Sequence, residues 1–190
     1  SIDFVKVNIE ANYKFAYRKK GTGLDLRFFV GRFLYNDNAS SRFNYSLSGN
    51  SDYLYEHILL GRNTIEGHLN QQAMISDGGF KNYTTVPSSG KWLNAINLKS
   101  NTPIKFIGLY ADFGLTGYTT RNFSGDEVDE VSPATYGFGG TLILIPNMCE
   151  IYFPFKLSSD LNQLKYVEKI RFVLNLNLIK PFEMVRKFEF

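Results

Sequence analysis

Residues 5–17 read Val-Lys-Val-Asn-Ile-Glu-Ala-Asn-Tyr-Lys-Phe-Ala-Tyr, and this stretch decides the fold. Val5, Val7, Ile9, Ala11, Tyr13, Phe15 and Tyr17 are apolar at every second position. Lys6, Asn8, Glu10, Asn12, Lys14 and Ala16 lie between them. Alternation with period two is the signature of a β-strand with one apolar and one polar face. The run is also long. An ordinary soluble strand has about 5–6 residues, whereas thirteen residues at about 3.4 Å each span roughly 44 Å. Tilted at about 45°, such a strand rises roughly 30 Å, the thickness of a bilayer hydrocarbon core.

Working outward, the same period returns. Leu24, Leu26, Phe28 and Val30 alternate with Asp25, Arg27, Phe29 and Gly31. Ile107, Leu109, Ala111, Phe113 and Leu115 alternate with Gly108, Tyr110, Asp112 and Gly114. Tyr136, Phe138, Leu142 and Leu144 face away from Thr135, Gly137, Gly139 and Thr141. Ile151, Phe153, Phe155 and Leu157 alternate with Glu150, Tyr152, Pro154 and Lys156. Ile170, Phe172, Leu174, Leu176 and Leu178 alternate with Arg171, Val173, Asn175 and Asn177. A weaker pattern covers residues 92–99, with Trp92, Ile96 and Leu98 against Ala95, Asn97 and Lys99. Seven strands and almost no helical period predict an all-β chain.

The predicted connections alternate between short turns (19–22, 100–103 and 146–147) and long loops (36–90, 116–133 and 158–167). Outer-membrane barrels have this asymmetry, with short periplasmic turns and long extracellular loops. Residues opposite each other in a hairpin share a face. A turn at Lys20-Gly21 would pair Tyr17 with Leu24, Phe15 with Leu26 and Tyr13 with Phe28. A turn at Pro146-Asn147 would pair Leu144 with Cys149, Leu142 with Ile151 and Phe138 with Phe155. Both registers set apolar against apolar.

Composition narrows the function classes. The chain has 190 residues, 44% hydrophobic, with 17 Phe and 12 Tyr, which is too aromatic for disorder. A lone Cys149 forbids an internal disulfide, and two histidines leave little for metal or acid–base chemistry. No apolar run approaches the ~18 residues of a transmembrane helix. A net charge of +3 with scattered basic residues argues against nucleic acid. Ser1-Ile2-Asp3 leads straight into patterned sequence, so no signal peptide is expected within these residues; either one was removed or the chain begins inside a longer protein.

The polar face carries Lys6, Glu10, Lys14, Arg27, Asp112, Glu150, Lys156, Arg171 and Asn175, together with Gly108, Gly114, Gly137 and Gly139. A charged, glycine-rich face suits a polar lumen, so these residues are expected to face inward. The lipid-facing set is then Val7, Ile9, Leu26, Phe28, Leu109, Phe113, Phe138, Leu142, Ile151, Phe153, Phe155, Phe172, Leu174 and Leu176. Tyr17 and Tyr136 share that parity near opposite rims, as interfacial aromatics do. The fold expected is an antiparallel transmembrane β-barrel over residues 1–179, with 180–190 as a periplasmic tail or the end of the last strand. A soluble ligand-binding barrel is the alternative. Because seven strands make an odd count, at least one strand is expected before Ser1, supplied by an upstream part of the same protein or by another envelope chain. Phe43–Leu47 and Tyr53–Leu60 within the 36–90 loop are candidate extra strands, but as a pair they leave the count odd; a single strand hidden in a long loop would restore the parity.

Several short stretches carry a family resemblance. They are Asn70-Gln71-Gln72, Asp77-Gly78-Gly79-Phe80, Lys91-Trp92-Leu93 with Ala95-Ile96-Asn97-Leu98-Lys99, Tyr110-Ala111-Asp112-Phe113-Gly114, Ile151-Tyr152-Phe153-Pro154, and Ile170-Arg171-Phe172-Val173-Leu174-Asn175. Over roughly residues 50–185 the chain resembles the C-terminal region of large Bacteroidota-type cell-envelope proteins of the gluzincin, aminopeptidase-like metallopeptidase class. The resemblance implies an outer-membrane barrel attached to a zinc peptidase domain. The His-Glu-x-x-His signature of that class is absent, and His57 and His68 do not reproduce it. No catalytic, cofactor or metal residue is therefore expected in this chain.

Other candidates read as structure. Asp126, Glu127, Asp129 and Glu130 form a solvated acidic loop, with a weak cation site as the alternative. Ser88-Ser89-Gly90 and Gly78-Gly79 are turn chemistry, since no helix follows to make a phosphate cradle. The mixed charges of the lumen favour salt-bridged filling over a wide pore, and the 36–90 loop is long enough to fold inside as a plug. The expected role is a membrane anchor or structural subunit in the bacterial outer membrane, with outer-membrane lipid as partner. A small-solute pore is the rival reading. Pro181 could open a short helix bearing Phe182, Val185 and Phe188, or the strand could continue to Phe190.

Overall fold

The structure, a computed structural model, describes residues 4–17, 22–37, 43–49, 71–86, 88–104, 106–121, 127–146, 148–162 and 164–175. These residues form one antiparallel sheet of eight strands: β1 Phe4–Ala16, β2 Gly23–Asn36, β3 Trp92–Asn101, β4 Ile107–Arg121, β5 Glu127–Val131, β6 Thr135–Ile145, β7 Cys149–Leu157 and β8 Arg171–Leu174. The order is β1-β2-β3-β4-β6-β7-β8, and the sheet curls into a half-barrel. Helical structure among the described residues is confined to Gln71, a 3-10 turn at Ser159–Leu161, and one α-helical turn, α1 Tyr166–Lys169. The all-β antiparallel architecture expected from the two-residue period is therefore present.

Three details differ from the sequence reading. The 116–133 loop is partly strand: β4 runs on to Arg121, and β5 pairs with its far half, Gly117 against Val131. The near half of β4 pairs with β6, so β5 extends the wall upward without widening it. The first hairpin is shifted by two residues, pairing Phe15 with Leu24, Tyr13 with Leu26 and Ala11 with Phe28. An even shift keeps every side chain on its face, which is why facial pairing could not detect it. In the β6–β7 hairpin Leu142 does meet Ile151, but Ile145 rather than Leu144 opposes Cys149, and Lys156 rather than Phe155 opposes Phe138. Two register shifts, between Phe138 and Gly139 and between Ile143 and Ile145, cause this. Each bulge inserts a residue and reverses parity beyond it. Lys156 therefore lies on the face of Phe138, not on the concave side where alternation placed it. Leu176, the Tyr53–Leu60 strand candidate, His57, His68, Asp126 and the 181–190 tail lie outside the described residues.

The core lies between the sheet's concave face and the segments 43–49, 71–86 and 88–90. Phe29, Phe33, Leu93 and Ala95 project from β2 and β3 against Tyr45, Leu47 and Phe80 of those segments. Tyr45 packs edge-on against Phe29 and Phe33, with centroids at 5.9 and 5.2 Å. Phe43–Leu47 is thus no wall strand; its one ladder contact is a bridge from Tyr45 to Ser89. Wall glycines are the sockets for this plug. A Cβ on Gly31 would lie 2.5 Å from two ring atoms of Tyr45; within the plug itself, one on Gly78 would lie 2.5 Å from the Leu47 Cα. Gly114 likewise makes room for Leu47 and Phe80.

Tyr45 cannot swing aside cheaply, because it is fully buried and its hydroxyl donates to the Val7 carbonyl at 2.8 Å. Gly31→Val is therefore expected to cost about 1–3 kcal/mol, the usual penalty for overpacking. Denaturant titration measures it. Gly31→Val combined with Tyr45→Ala should recover part of the loss, and no recovery would show that Gly31 serves the backbone instead.

Candidate functional site

The polar residues of the concave face form a connected network. Asp112, at the centre of β4, is fully buried. Its Oδ1 accepts from Lys81 Nζ at 2.8 Å and from Asn97 Nδ2 at 2.9 Å, and its Oδ2 accepts from the Lys81 backbone N–H at 2.9 Å. Asn97 Oδ1 accepts from Arg27 Nη1 at 2.9 Å, and Arg27 Nη2 donates to Glu10 at 2.7 Å. Arg27 Nη1 also reaches the Asp77 carbonyl at 2.8 Å, and Asn97 Nδ2 the Gly78 carbonyl at 2.9 Å. Glu10, Arg27, Asn97 and Asp112 thus cross four consecutive strands, and three of them grip the 77–81 turn. Positive φ at Asp77 (46°) and Gly79 (61°) shapes that turn, and a Cβ at Gly79 would meet the Arg27 guanidinium at 2.7 Å.

A second group closes across the sheet. Lys99 of β3 pairs with Glu150 of β7, which also accepts from the Tyr152 hydroxyl at 2.6 Å. Three strand spacings separate β3 from β7, about 14 Å along a flat sheet. The curl, with small Gly108 and Thr141 between, brings them together. Tyr152 packs edge-on against Tyr110 at 5.1 Å, and Tyr110 exchanges hydrogen bonds with Asn82 at 3.3 Å.

The remaining inward candidates are distributed around these groups. Lys6 donates to the Phe43 carbonyl at 3.3 Å and sits 4.0 Å from the Tyr45 ring centroid. Lys14 pairs with Asp25 at 3.3 Å near the short-turn rim, where both are solvated. Arg171 is buried, 5.7 Å from the Tyr83 ring. Glu150 and Asn175 line a cavity of about 420 Å³ below the plug, bounded also by Asn12, Asp25, Lys99 and Tyr152. In the acidic loop Asp129 pairs with Lys91, and Glu130 accepts from Thr120 at 3.0 Å. Ser89 Oγ accepts from the Lys91 and Trp92 N–H groups at 3.1 and 3.0 Å, a turn rather than an anion site. Among the described residues, no three His, Cys, Asp or Glu side chains come together as a metal site.

The convex face has the opposite chemistry. Val7, Ile9, Phe28, Leu109, Phe113, Phe138 and Phe155 are all exposed there, Ile9 by 65% and Phe155 by 66%. Leu26, Leu142, Ile151, Phe153, Phe172 and Leu174 are half-buried. Sequence reasoning did not single out Lys81, Asn82, Asn97, Lys99, Tyr110 or Tyr152 as site residues. Inward parity was already visible for the last four. Phe29, Tyr110 and Tyr152 on an otherwise polar face were the available sign that something packs against it.

Fold and faces together define a half-barrel with an apolar exterior and a charged interior stoppered by its own loop. Compared with known proteins, the chain matches no family model, no curated protein and no solved structure.

Proposed function

We propose that this chain is the wall of an outer-membrane β-barrel that anchors a larger cell-envelope protein or assembly, with a lumen plugged rather than conducting. The observation that carries this is the inversion of the sheet. Its solvent-accessible face is apolar on strand after strand, while Arg27, Asp112, Glu150 and Arg171 are buried on the other. A soluble sheet of this size would leave an apolar patch far beyond the few hundred Å² that monomers expose. In lipid the same face is solvated. Wall strands of 9 to 15 residues, β5 and β8 excepted, have the length that a tilted crossing needs. The peptidase domain implied by the family resemblance would be the cargo of such an anchor.

The test is retention in the outer-membrane fraction through carbonate and urea washes, followed by planar-bilayer recording. Retention without ohmic steps is expected. Release by the washes would overturn the membrane reading, and sustained steps from the intact protein would favour the pore. If the plug is what closes the lumen, Gly31→Val should raise conductance in the same recording.

A further inference from the structure

The cavity of about 420 Å³ below the plug is of the size that holds a small organic molecule. Its walls are built entirely from described residues. Two parts of the fold share it. Ile75 and Lys81 belong to the plug, and the rest of the lining comes from the wall strands and the residues at their ends.

The lining is cationic. Lys14, Arg27, Lys81 and Lys99 stand against two carboxylates, Asp25 and Glu150. The imbalance arises because the carboxylates that pair with Arg27 and Lys81, namely Glu10 and Asp112, lie outside the lining. Hydrogen-bond donors are in excess as well. An ammonium carries three N–H donors, and Lys99 places one on Glu150 while Lys14 places one on Asp25. Glu150 already accepts from both Lys99 and the Tyr152 hydroxyl. Ile75, Met148 and Val173 supply apolar surface in the same cavity. Surplus ammonium donors beside apolar surface suit an anion that carries an apolar body.

We infer that this cavity binds a small organic anion, and that the bound anion clamps the plug to the wall. A ligand that touches Ile75 and Lys81 on the plug and Lys99 and Met148 on the wall meets both parts only while the plug is seated. Binding that state alone favours it over the unseated one by a factor of one plus the ligand concentration divided by Kd. The Lys81–Asp112 pair, at 2.8 Å, fastens the plug without the ligand. The anion adds a second fastening next to the first. The inference needs the seated plug and not the lipid, so it stands or falls separately from the membrane reading.

The experiment uses the purified intact protein and three probes of matched shape: benzoate, benzylammonium and benzyl alcohol. Isothermal titration measures binding, and limited proteolysis followed by mass spectrometry measures cleavage within residues 71–86. Benzoate is expected to bind saturably and at least tenfold more tightly than the other two. At ten times its Kd it should slow cleavage about tenfold, because cleavage follows the population of the unseated plug. Lys99→Gln should weaken benzoate binding at least tenfold, and Lys99→Arg should preserve it. Where Lys99→Gln does not fold, Met148→Trp fills the cavity without changing its charge and should abolish binding. Three results would overturn the inference: no saturable benzoate binding below about 10 mM, a concentration that weak small-ligand sites reach; benzylammonium binding as tightly as benzoate; or benzoate binding that leaves cleavage unchanged or survives Lys99→Gln or Met148→Trp.

Discussion

On the proposed membrane reading, Phe153→Arg, in the middle of β7, is expected to lower stability by about 2–4 kcal/mol in a lipid-refolding titration, and Leu109→Arg, the third residue of β4, by less, because the cost of a guanidinium on the lipid face of a barrel falls from the midplane toward the interface. Leu109 lies on β4 between Ser100 of β3 and Gly140 of β6, and Phe153 of β7 also opposes Gly140. Both occupy the convex face, where the Ser100 hydroxyl beside Leu109 is neutral and cannot balance a guanidinium. Asn12→Arg and Asn175→Arg provide the comparison, because both border the cavity whose lining includes the Asp25 and Glu150 carboxylates. Their cost should be clearly smaller. Equal losses in the two classes would mean that the convex face does not meet hydrocarbon, and the anchor reading would fall with it.

Lys81→Met should be the most damaging single change within the plug, at about 3–5 kcal/mol, the range for breaking a buried ion pair from one side. The Lys81 and Asp112 side chains are 5% and 0% exposed, so the carboxylate left behind could not find water. It would retain Asn97 and one backbone N–H, which satisfy its hydrogen bonds without balancing its charge. The double variant Lys81→Met/Asp112→Leu removes both charges and should be markedly less destabilised than the sum of the singles. Denaturant titration gives the coupling, and proteolysis at residues 71–86 reports whether the segment has left the lumen. A single-variant loss below about 1 kcal/mol would show that the plug is held by its aromatic contacts instead.

The strands were legible in the sequence because period two is a local property, written in each run regardless of partners. The facing of Arg27, Asp112 and Glu150 follows from it directly. Three kinds of feature were not legible. The two-residue shift of the first hairpin moves no side chain across the sheet, so facial pairing is blind to it. The bulge between Phe138 and Gly139 is a backbone event with no residue type of its own, and it carried Lys156 to the other face. β5 is short and acidic, Glu-Val-Asp-Glu-Val, and owes its pairing to the extended end of β4 rather than to its own pattern.

Sequence alone determined that this chain is an antiparallel sheet with one apolar and one charged face, since alternation fixes which side chains share a side. It also implied a glycine-lined interior and a loop long enough to enter it. Only tertiary structure decided what the interior holds. Tyr45, Leu47, Phe80 and Lys81 come from segments without period, and their seats at Gly31, Gly114 and Asp112 lie 14 to 67 residues away. Such contacts depend on the curl of the whole sheet, which brings Lys99 to Glu150 across three strand spacings. That curvature arises from twist summed over many strands, and no short stretch of sequence encodes it.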